Sequence, residues 1–186
     1  MSDQAALDAL LGPPRPVLPD DWRTMPGRNG GGVTHELLKL GEGALGFALR
    51  VSVAEVTKDG PFSRFEGVDR SIVLLSGAGM TLLWPRGDRT HLTGAAPLLS
   101  FPGEVAPNSR LIDGPTTDLN VMTDRATLHA EVSLARPGEI SADPIFLLRA
   151  GVVNGEALPA HTLLVRPGPG VCDAPLVAIS LHLRDR

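Results

Sequence analysis

The sequence contains a single cysteine, and no two of its histidines are spaced to share one face of a strand as metal ligands. With only Cys172 present, no disulfide can form within the chain, and we interpret this thiol as buried or held in a loop. Two ligands on one face of a strand require the pattern H-x-H, because alternate residues point to the same side. That pattern is absent, so the sequence predicts neither a metal site nor a cofactor.

Sequence motifs for nucleophilic catalysis and for phosphate binding are also missing. The chain has neither a G-x-S-x-G elbow nor a G-x-x-x-x-G-K-[ST] loop. The stretch SGAG (76–79) supplies only G-x-G, which we interpret as a hairpin turn. The motifs therefore point to no catalytic residue.

Basic residues are too few and too scattered for a nucleic-acid-binding surface. The chain has 17 Lys and Arg against 21 Asp and Glu, a formal net charge of −4, and no block rich in Lys or Arg. No apolar run is long enough to cross a bilayer. The N-terminal stretch MSDQAALDALLGPPRP has an acidic residue where a signal peptide has basic ones. We therefore expect a cytoplasmic protein that binds neither nucleic acid nor membranes.

Glycine and proline are abundant, with 21 and 17 residues, and they divide the chain into short segments. Most segments alternate apolar and polar residues, or are short apolar runs that end at a glycine, which is typical of β-strands. The predicted strands include residues 47–56, 70–77, 118–124, 126–135, 161–168 and 175–184. A short helix is predicted over residues 5–11, but strands and helices do not alternate, so the sequence predicts an all-β sandwich or barrel.

Two parts of the chain resemble each other, each with a strand, a glycine-rich turn and a strand that ends in Pro-Gly. This similarity predicts two related half-barrels over about residues 19–110 and 111–186, after an N-terminal extension of residues 1–18. A meander of hairpins would produce much the same pattern, so both interpretations stay open.

Several polar residues occupy positions where burial would be costly. Glu55 shares a strand face with Leu49, Val51 and Val53, where a carboxylate must be paired in a site or must already have reached solvent at the strand end. Arg70 enters a buried strand directly, so we expect its guanidinium to have a defined partner or ligand.

Two further polar residues, one before this strand and one in another predicted strand, are also candidates. Arg64 precedes Phe65 in DGPFSRFEGVDR (59–70), and Asn120 alternates with apolar neighbours in DLNVM (118–122). The position of Asn120 predicts that its side chain points at a cavity.

The stretch PGRNGGGVTHE (26–36) places three glycines beside an arginine, an asparagine and a glutamate. Glycines let backbone N–H groups approach a small acceptor without interference from a Cβ atom, and they can form a nest for an anion. Arg28 and Asn29 would add a charged fork and an amide, while Thr34 and Glu36 share one face of the following strand. The alternative is a flexible loop or a bulge.

Three blocks together resemble the HutD/Ves family of bacterial proteins: N-G-G-G-x-T-x-E, D-G-P-F-S-x-F and D-L-N-V-M. The resemblance extends from about Pro19 to Arg125. One departure lies beside the glycines, where the family usually has P-W-K-N-G-G-G and this chain has Gly27 in place of the tryptophan.

The resemblance implies an all-β, cupin-like fold of jelly-roll type, a double β-barrel or sandwich with two fused lobes that lacks the usual cupin metal ligands. It also implies a link to histidine utilisation, in which the family is thought to bind a small pathway acid such as formylglutamate and to act as a regulator. The candidate ligand-binding residues within the matching motifs are Arg28, Asn29, Gly30, Gly31, Glu36, Glu55, Arg64, Arg70 and Asn120.

Two functions remain as hypotheses at this point, with a structural or protein-interaction module as a third. The first is a non-catalytic, metal-free binding protein whose partner is a small organic acid or amino-acid derivative. The second is a cupin-type enzyme, either a metal-dependent dioxygenase or an acid–base isomerase that uses Glu55 or Glu36. The sequence leaves a homodimer open.

Overall fold

The structure is a computed structural model that describes residues 2–27 and 32–184. In this part of the chain it contains one α-helix, α1 (Asp3–Leu11), one 3-10 turn (Pro19–Asp21) and nineteen short strands. The first ten strands are β1 (Arg15–Val17), β2 (Arg23–Pro26), β3 (Gly32–Leu40), β4 (Leu49–Val56), β5 (Gly60–Pro61), β6 (Val68–Ser76), β7 (Met80–Leu83), β8 (Arg89–Leu92), β9 (Leu98–Pro102) and β10 (Asn108–Leu111). The other nine are β11 (Thr116–Asp124), β12 (Leu128–Ala135), β13 (Gly138–Ile140), β14 (Ile145–Leu147), β15 (Gly151–Val153), β16 (Glu156–Leu158), β17 (Leu163–Val165), β18 (Gly170–Cys172) and β19 (Leu176–Leu183).

The chain divides into two compact units. We call residues 23–126 the central unit, and residues 1–22 together with 127–186 the terminal unit. The terminal unit therefore combines both ends of the chain, whereas the central unit is one continuous segment.

The central unit contains two antiparallel sheets. The larger has six strands in the order β2-β3-β4-β11-β6-β9, and the smaller has four in the order β5-β10-β7-β8. One apolar cluster joins β6 and β9 of the larger sheet to β7 and β8 of the smaller sheet. Its buried members are Ile72, Met80, Leu82, Leu92 and Phe101. The two sheets therefore pack over a shared core, which is the arrangement of a β-sandwich.

The terminal unit also contains two sheets, with the orders β1-β17-β14-β19-β12 and β13-β18-β15-β16. Its core draws side chains from both sheets, namely Ile140, Ile145, Leu147, Val153, Leu158, Leu164, Cys172, Ala174 and Leu176. Cys172 is buried, which is one of the two placements predicted for it, and the carbonyl oxygen of Ala174 lies 3.3 Å from its Sγ atom.

Helix α1 is short because the residues that cap its two ends lie close together in the sequence. The Oγ atom of Ser2 accepts a hydrogen bond from the backbone N–H of Ala5, and Gly12 ends the helix with a positive φ of 73° before two prolines. None of the helices in the described residues has the length and the apolar character that a membrane crossing requires.

The all-β prediction is confirmed, and each predicted strand overlaps an observed one. The barrel form of the prediction needs correction. In the described residues all four sheets are open, because the first and last strands in each order have only one hydrogen-bonded neighbour. That the two halves of the chain are related to each other stays a prediction.

Candidate ligand-binding site

The candidate site lies on one face of the six-stranded sheet of the central unit. Strand β4 alternates, with Leu49, Val51 and Val53 fully buried on one face and Arg50 and Ser52 on the other. Neighbouring strands continue this polar face in register, since Ser52 lies opposite Glu36 of β3 on one side and opposite Asn120 of β11 on the other.

A cavity of about 360 Å³ opens over this face. It is lined by residues from the larger sheet, from strand β10 and from the loops before β4 and after β5. Its polar and charged lining consists of Arg23, Thr34, Glu36, Lys39, Arg50, Ser52, Glu55, Ser63, Arg70, Ser109, Asp118 and Asn120. Four of these residues are cations and three are carboxylates, so the described part of the lining carries one excess positive charge. A volume of this size suits a small organic molecule.

Arg70 is the most deeply buried cation of the cavity, with only 8% of its surface exposed. Its Nε and Nη2 atoms both donate to Oδ1 of Asn120, at 3.1 and 2.6 Å. Three aromatic rings surround its guanidinium carbon, those of Phe62, Phe65 and Phe101, at 5.0 to 5.4 Å from the ring centroids. Burial lowers the pKa of Arg70 to about 10, even though the nearby charge of Asp118 acts in the opposite direction, so the side chain is still a cation at neutral pH.

Asn120 links Arg70 to a buried carboxylate. Its Nδ2 atom donates to Oδ1 of Asp118 at 2.5 Å. An arginine only donates and a carboxylate only accepts, so this position fixes the amide with its oxygen toward Arg70 and its nitrogen toward Asp118.

Asp118 is 1% exposed, and its second oxygen, Oδ2, has no hydrogen-bond partner among the described residues. Desolvation raises the pKa of Asp118 to about 6, although the charge of Arg70 and the hydrogen bond from Asn120 favour the ionised form. This carboxylate therefore changes its protonation state close to physiological pH.

A second ion pair borders the cavity on the side of β3. The Nε atom of Arg50 donates to Oε2 of Glu36 at 2.8 Å, and both side chains are mostly buried. Glu36, a predicted site residue, thus lines the cavity but is already held by a cation. Arg23 and Lys39, which also line the cavity, are exposed.

Glu55 lies at the edge of the cavity and not in its depth. Its side chain is half exposed, and its Oε1 atom lies 2.8 Å from Nε2 of His35. The other ring nitrogen of His35 lies 2.9 Å from Oγ1 of Thr24. The sequence left open whether Glu55 is paired or has reached solvent at the strand end. In the structure both are true, because Glu55 is paired with His35 and its side chain is half exposed.

Arg64 is placed differently from its prediction. It is not among the residues that line the cavity, and its side chain is 66% exposed and paired with Glu66 at 2.6 Å. Both arginines lie near Phe65 in the sequence, so this neighbour could not show that Arg70 is buried in its strand whereas Arg64 is exposed. The predicted site residues Arg28, Asn29, Gly30 and Gly31 lie outside the described residues.

The third glycine of the tri-glycine stretch has a clear structural reason. A Cβ atom at Gly32 would lie 1.7 Å from the backbone oxygen of Glu55, so β3 can approach β4 this closely only with a glycine. Gly32 and Gly27 both line the cavity.

Sequence reasoning missed Asp118 and Arg50 as site residues. The alternation of DLNVM does place Asp118 on the same face as Asn120, and the alternation of β4 places Arg50 beside Ser52. The signal was therefore present, but only the known positions of neighbouring strands show that this face encloses a cavity. In the described residues, no three side chains of His, Cys, Asp or Glu come together in a group that could hold a metal ion.

Comparison with known proteins points to one family. The family model of HutD matches residues 19–149. A Pseudomonas putida protein described as lying in the hutC 3′ region is 37% identical over 103 residues, which are 55% of this chain and 54% of the relative. Protein Ves of Citrobacter koseri is 35% identical over 119 residues, 62% of each chain. These alignments span less than two thirds of the length of either relative.

Among solved structures, that of HutD from Pseudomonas fluorescens SBW25 superimposes with a TM-score of 0.81 at 28% identity. The match covers 93% of this chain and 100% of the other. Both units of the present fold therefore have counterparts in that structure.

Proposed function

Since this chain belongs to the HutD family, we propose that it is a non-catalytic binding protein for a small carboxylate or amino-acid derivative, such as formylglutamate. We assign it a regulatory role in histidine utilisation, in the cytoplasm.

The observation that carries the proposal is the pairing of Arg70. Among the described residues no carboxylate lies within 4.0 Å of its guanidinium, and its two hydrogen bonds to a side chain both go to the neutral amide of Asn120. A buried cation in this state has unused attraction for an anion. Its Nη1 atom has only a long contact of 3.5 Å to the backbone oxygen of Ser63, so this nitrogen can donate to a ligand carboxylate.

Other groups of the cavity can bind the remainder of such a ligand. Phe62 and Phe65 offer apolar contacts, and the hydroxyl of Ser52 lies on the same sheet face as Asn120. Arg23 and Lys39 add positive charge that attracts anions toward the cavity. Binding by Arg28, Asn29 and the amides of Gly30 and Gly31 stays part of the proposal as a prediction.

The link to histidine utilisation rests on the relatives. One is described by its position in the hutC 3′ region, and the structural match is itself a HutD protein. The finer fold proposal, a cupin-like pair of jelly-roll lobes, is supported by the two units, each with two sheets over its own core.

Isothermal titration calorimetry with formate and N-formyl-L-glutamate tests the proposal. We expect both acids to bind, and we expect Arg70→Gln to weaken binding about ten- to a hundredfold, because a charge-assisted hydrogen bond contributes about 1.5–3 kcal/mol. Arg64→Gln is the matched control, since Arg64 is exposed and does not line the cavity.

Two results would contradict this function. One is that neither acid binds the folded wild-type protein, and the other is that the Arg70 and Arg64 variants bind equally well. Turnover of N-formyl-L-glutamate, followed by NMR, would instead favour the acid–base enzyme, for which the contact between Glu55 and His35 offers a starting point.

A further inference from the structure

We propose that Asp118 is a positioning residue for the Arg70 clamp, and that the cavity binds its anionic ligand together with a proton that Asp118 takes up. This inference rests on the proposed function, because it concerns how the same cavity holds an acid.

The positioning part follows from the chain of hydrogen bonds. Asp118 accepts from the nitrogen of Asn120, which turns the amide oxygen toward Arg70, where it accepts from both Nε and Nη2. Those two bonds fix the plane of the guanidinium and leave Nη1 for a ligand. If position 118 could not accept a hydrogen bond, the amide nitrogen of Asn120 would lose its acceptor, and only the two donors of Arg70 would hold the orientation of the amide.

The proton-uptake part follows from the surroundings of Asp118. On the neighbouring strands it lies opposite Ala54 and Leu74, which offer no side-chain donor. Its Oδ2 atom therefore stays without a partner, and the negative charge depends mainly on the positive charge of Arg70 and the amide of Asn120.

An anion that binds to Arg70 competes with Asp118 for the same positive charge. Two negative charges near one buried cation repel each other strongly, because the interior screens charges poorly. The pKa of Asp118 is already about 6 before an anion binds, and the anion raises it further. By linkage, binding of the acid then draws a proton onto Asp118 at neutral pH.

The other charged groups near the hydrogen-bonded residues Asp118, Asn120 and Arg70 are not expected to take up a proton when the anion binds. Arg50 of β4 acts on Arg70 through its charge but is itself paired with Glu36 of β3. Glu55 borders the cavity only at its edge and is paired with His35, which by strand alternation lies on the other face of the sheet. On β10 the hydroxyl of Ser109 donates to the backbone oxygen of Gly60.

Calorimetric titration of formate at pH 7.0, in two buffers with different ionisation enthalpies, measures the protons taken up for each formate bound. We expect the wild type to take up about half a proton or more, and its affinity to rise about tenfold between pH 8 and pH 6. Asp118→Asn should still bind formate, at least as tightly at pH 7.5, but with no proton uptake and a flat pH profile. His35→Gln is the control that should keep the uptake.

Asp118→Leu tests the positioning part, because leucine removes the acceptor for Asn120 along with the charge. We expect it to bind formate at least about tenfold more weakly than Asp118→Asn at every pH. Equal affinity of these two variants, compared as folded proteins by their circular dichroism, would overturn the positioning role.

The proton-uptake part does not depend on whether Asp118→Leu folds. Formate binding without proton uptake, or uptake that persists in Asp118→Asn, would overturn it while leaving the proposed function intact. No binding of formate or N-formyl-L-glutamate to the wild type at any pH would overturn both.

Discussion

At the scale of single residues, the site depends on a buried cation whose surroundings are mostly uncharged. Three phenylalanine rings and one amide stabilise Arg70 without a carboxylate in direct contact. A protein that needed only stability would more simply place an apolar side chain there, because a buried ion gains little over a hydrophobic residue of similar size. The arrangement is therefore better explained by ligand binding than by folding.

Asp118 gives a stability prediction with a defined sign. Its pKa is about 6 in the folded protein and lower in the unfolded chain, so the folded state binds more protons between these values. The stability that the protonated carboxyl provides is complete below the unfolded pKa and is lost as the pH rises through about 6. We expect Asp118→Asn, relative to wild type, to gain about 1–3 kcal/mol in free energy of unfolding between pH 4 and pH 7.5.

Urea unfolding of both proteins at these two pH values measures the gain. Asp59→Asn is the control, because Asp59 is an exposed residue and should show no comparable change. A stability difference between Asp118→Asn and wild type that stays constant with pH would contradict the assignment of the raised pKa.

The sequence revealed part of this site and not the rest, for physical reasons. Arg70 and Asn120 could be predicted because each interrupts an apolar strand, where an unpaired polar group is costly. Arg64 lies near Phe65 in the sequence, as Arg70 does, but its side chain is exposed. Burial depends on strand pairing, which short-range sequence patterns do not encode. The alternation of the strand places Asp118 on the same face as Asn120, but only the neighbouring strands β4 and β6 show that its second oxygen has no partner among the described residues.

At the scale of elements, the alternation of β4 and β11 determines the cavity. These two strands are central in the six-stranded sheet, so one face of each is apolar while the other supplies Arg50, Ser52, Asp118 and Asn120. Period-two patterns were sufficient to predict such strands. They could not predict the strand order or the pairing of sheets, because both depend on contacts far apart in the sequence.

Gly32 provides a prediction for the pairing of β3 with β4. Replacement by alanine would place a Cβ atom against the backbone oxygen of Glu55, and backbone cannot move aside as a side chain can. We expect Gly32→Ala to lower the free energy of unfolding by about 1–3 kcal/mol and to weaken formate binding, since Gly32 and Glu55 both border the cavity.

Gly60→Ala is a matched control for this change in chemical denaturation and calorimetry. Gly60 also lies in a strand of the central unit, but a Cβ atom there would meet nothing within 4 Å. If both alanine variants were as stable as the wild type, the close approach of the two strands would be wrong.

At the scale of the whole molecule, the N-terminal segment and the C-terminal part of the chain belong to one unit, which the sequence did not suggest. Residues 1–18 read as an extension, and the family model begins only at residue 19. The structure nevertheless places α1 and β1 in the terminal unit. Strand β1 pairs with β17, Leu11 is 2% exposed, and Asp8 forms an ion pair with Arg166 at 3.0 Å. These residues lie more than 140 positions from their partners in sequence, which no local pattern can reveal.

Removal of residues 1–18 should therefore destabilise the terminal unit. The deletion exposes an edge of the five-stranded sheet and removes the buried side chain of Leu11, whose burial alone contributes about 1.5–3 kcal/mol. The two tryptophans allow the units to be followed separately, because Trp22 belongs to the terminal unit and Trp84 to the central unit. In Trp84→Phe and Trp22→Phe backgrounds, we expect the deletion to lower the urea midpoint of the Trp22 signal more than that of the Trp84 signal.

Single substitutions separate the loss of core packing from the loss of the chain end. Leu11→Ala should lower the Trp22 midpoint in the same direction as the deletion, because it removes a buried side chain from the terminal unit. Leu134→Ala should leave the midpoint nearly unchanged, since Leu134 is 44% exposed in the same unit. If deletion of residues 1–18 left both midpoints at their wild-type values, the segment would be a dispensable extension and its packing in the structure would be incorrect.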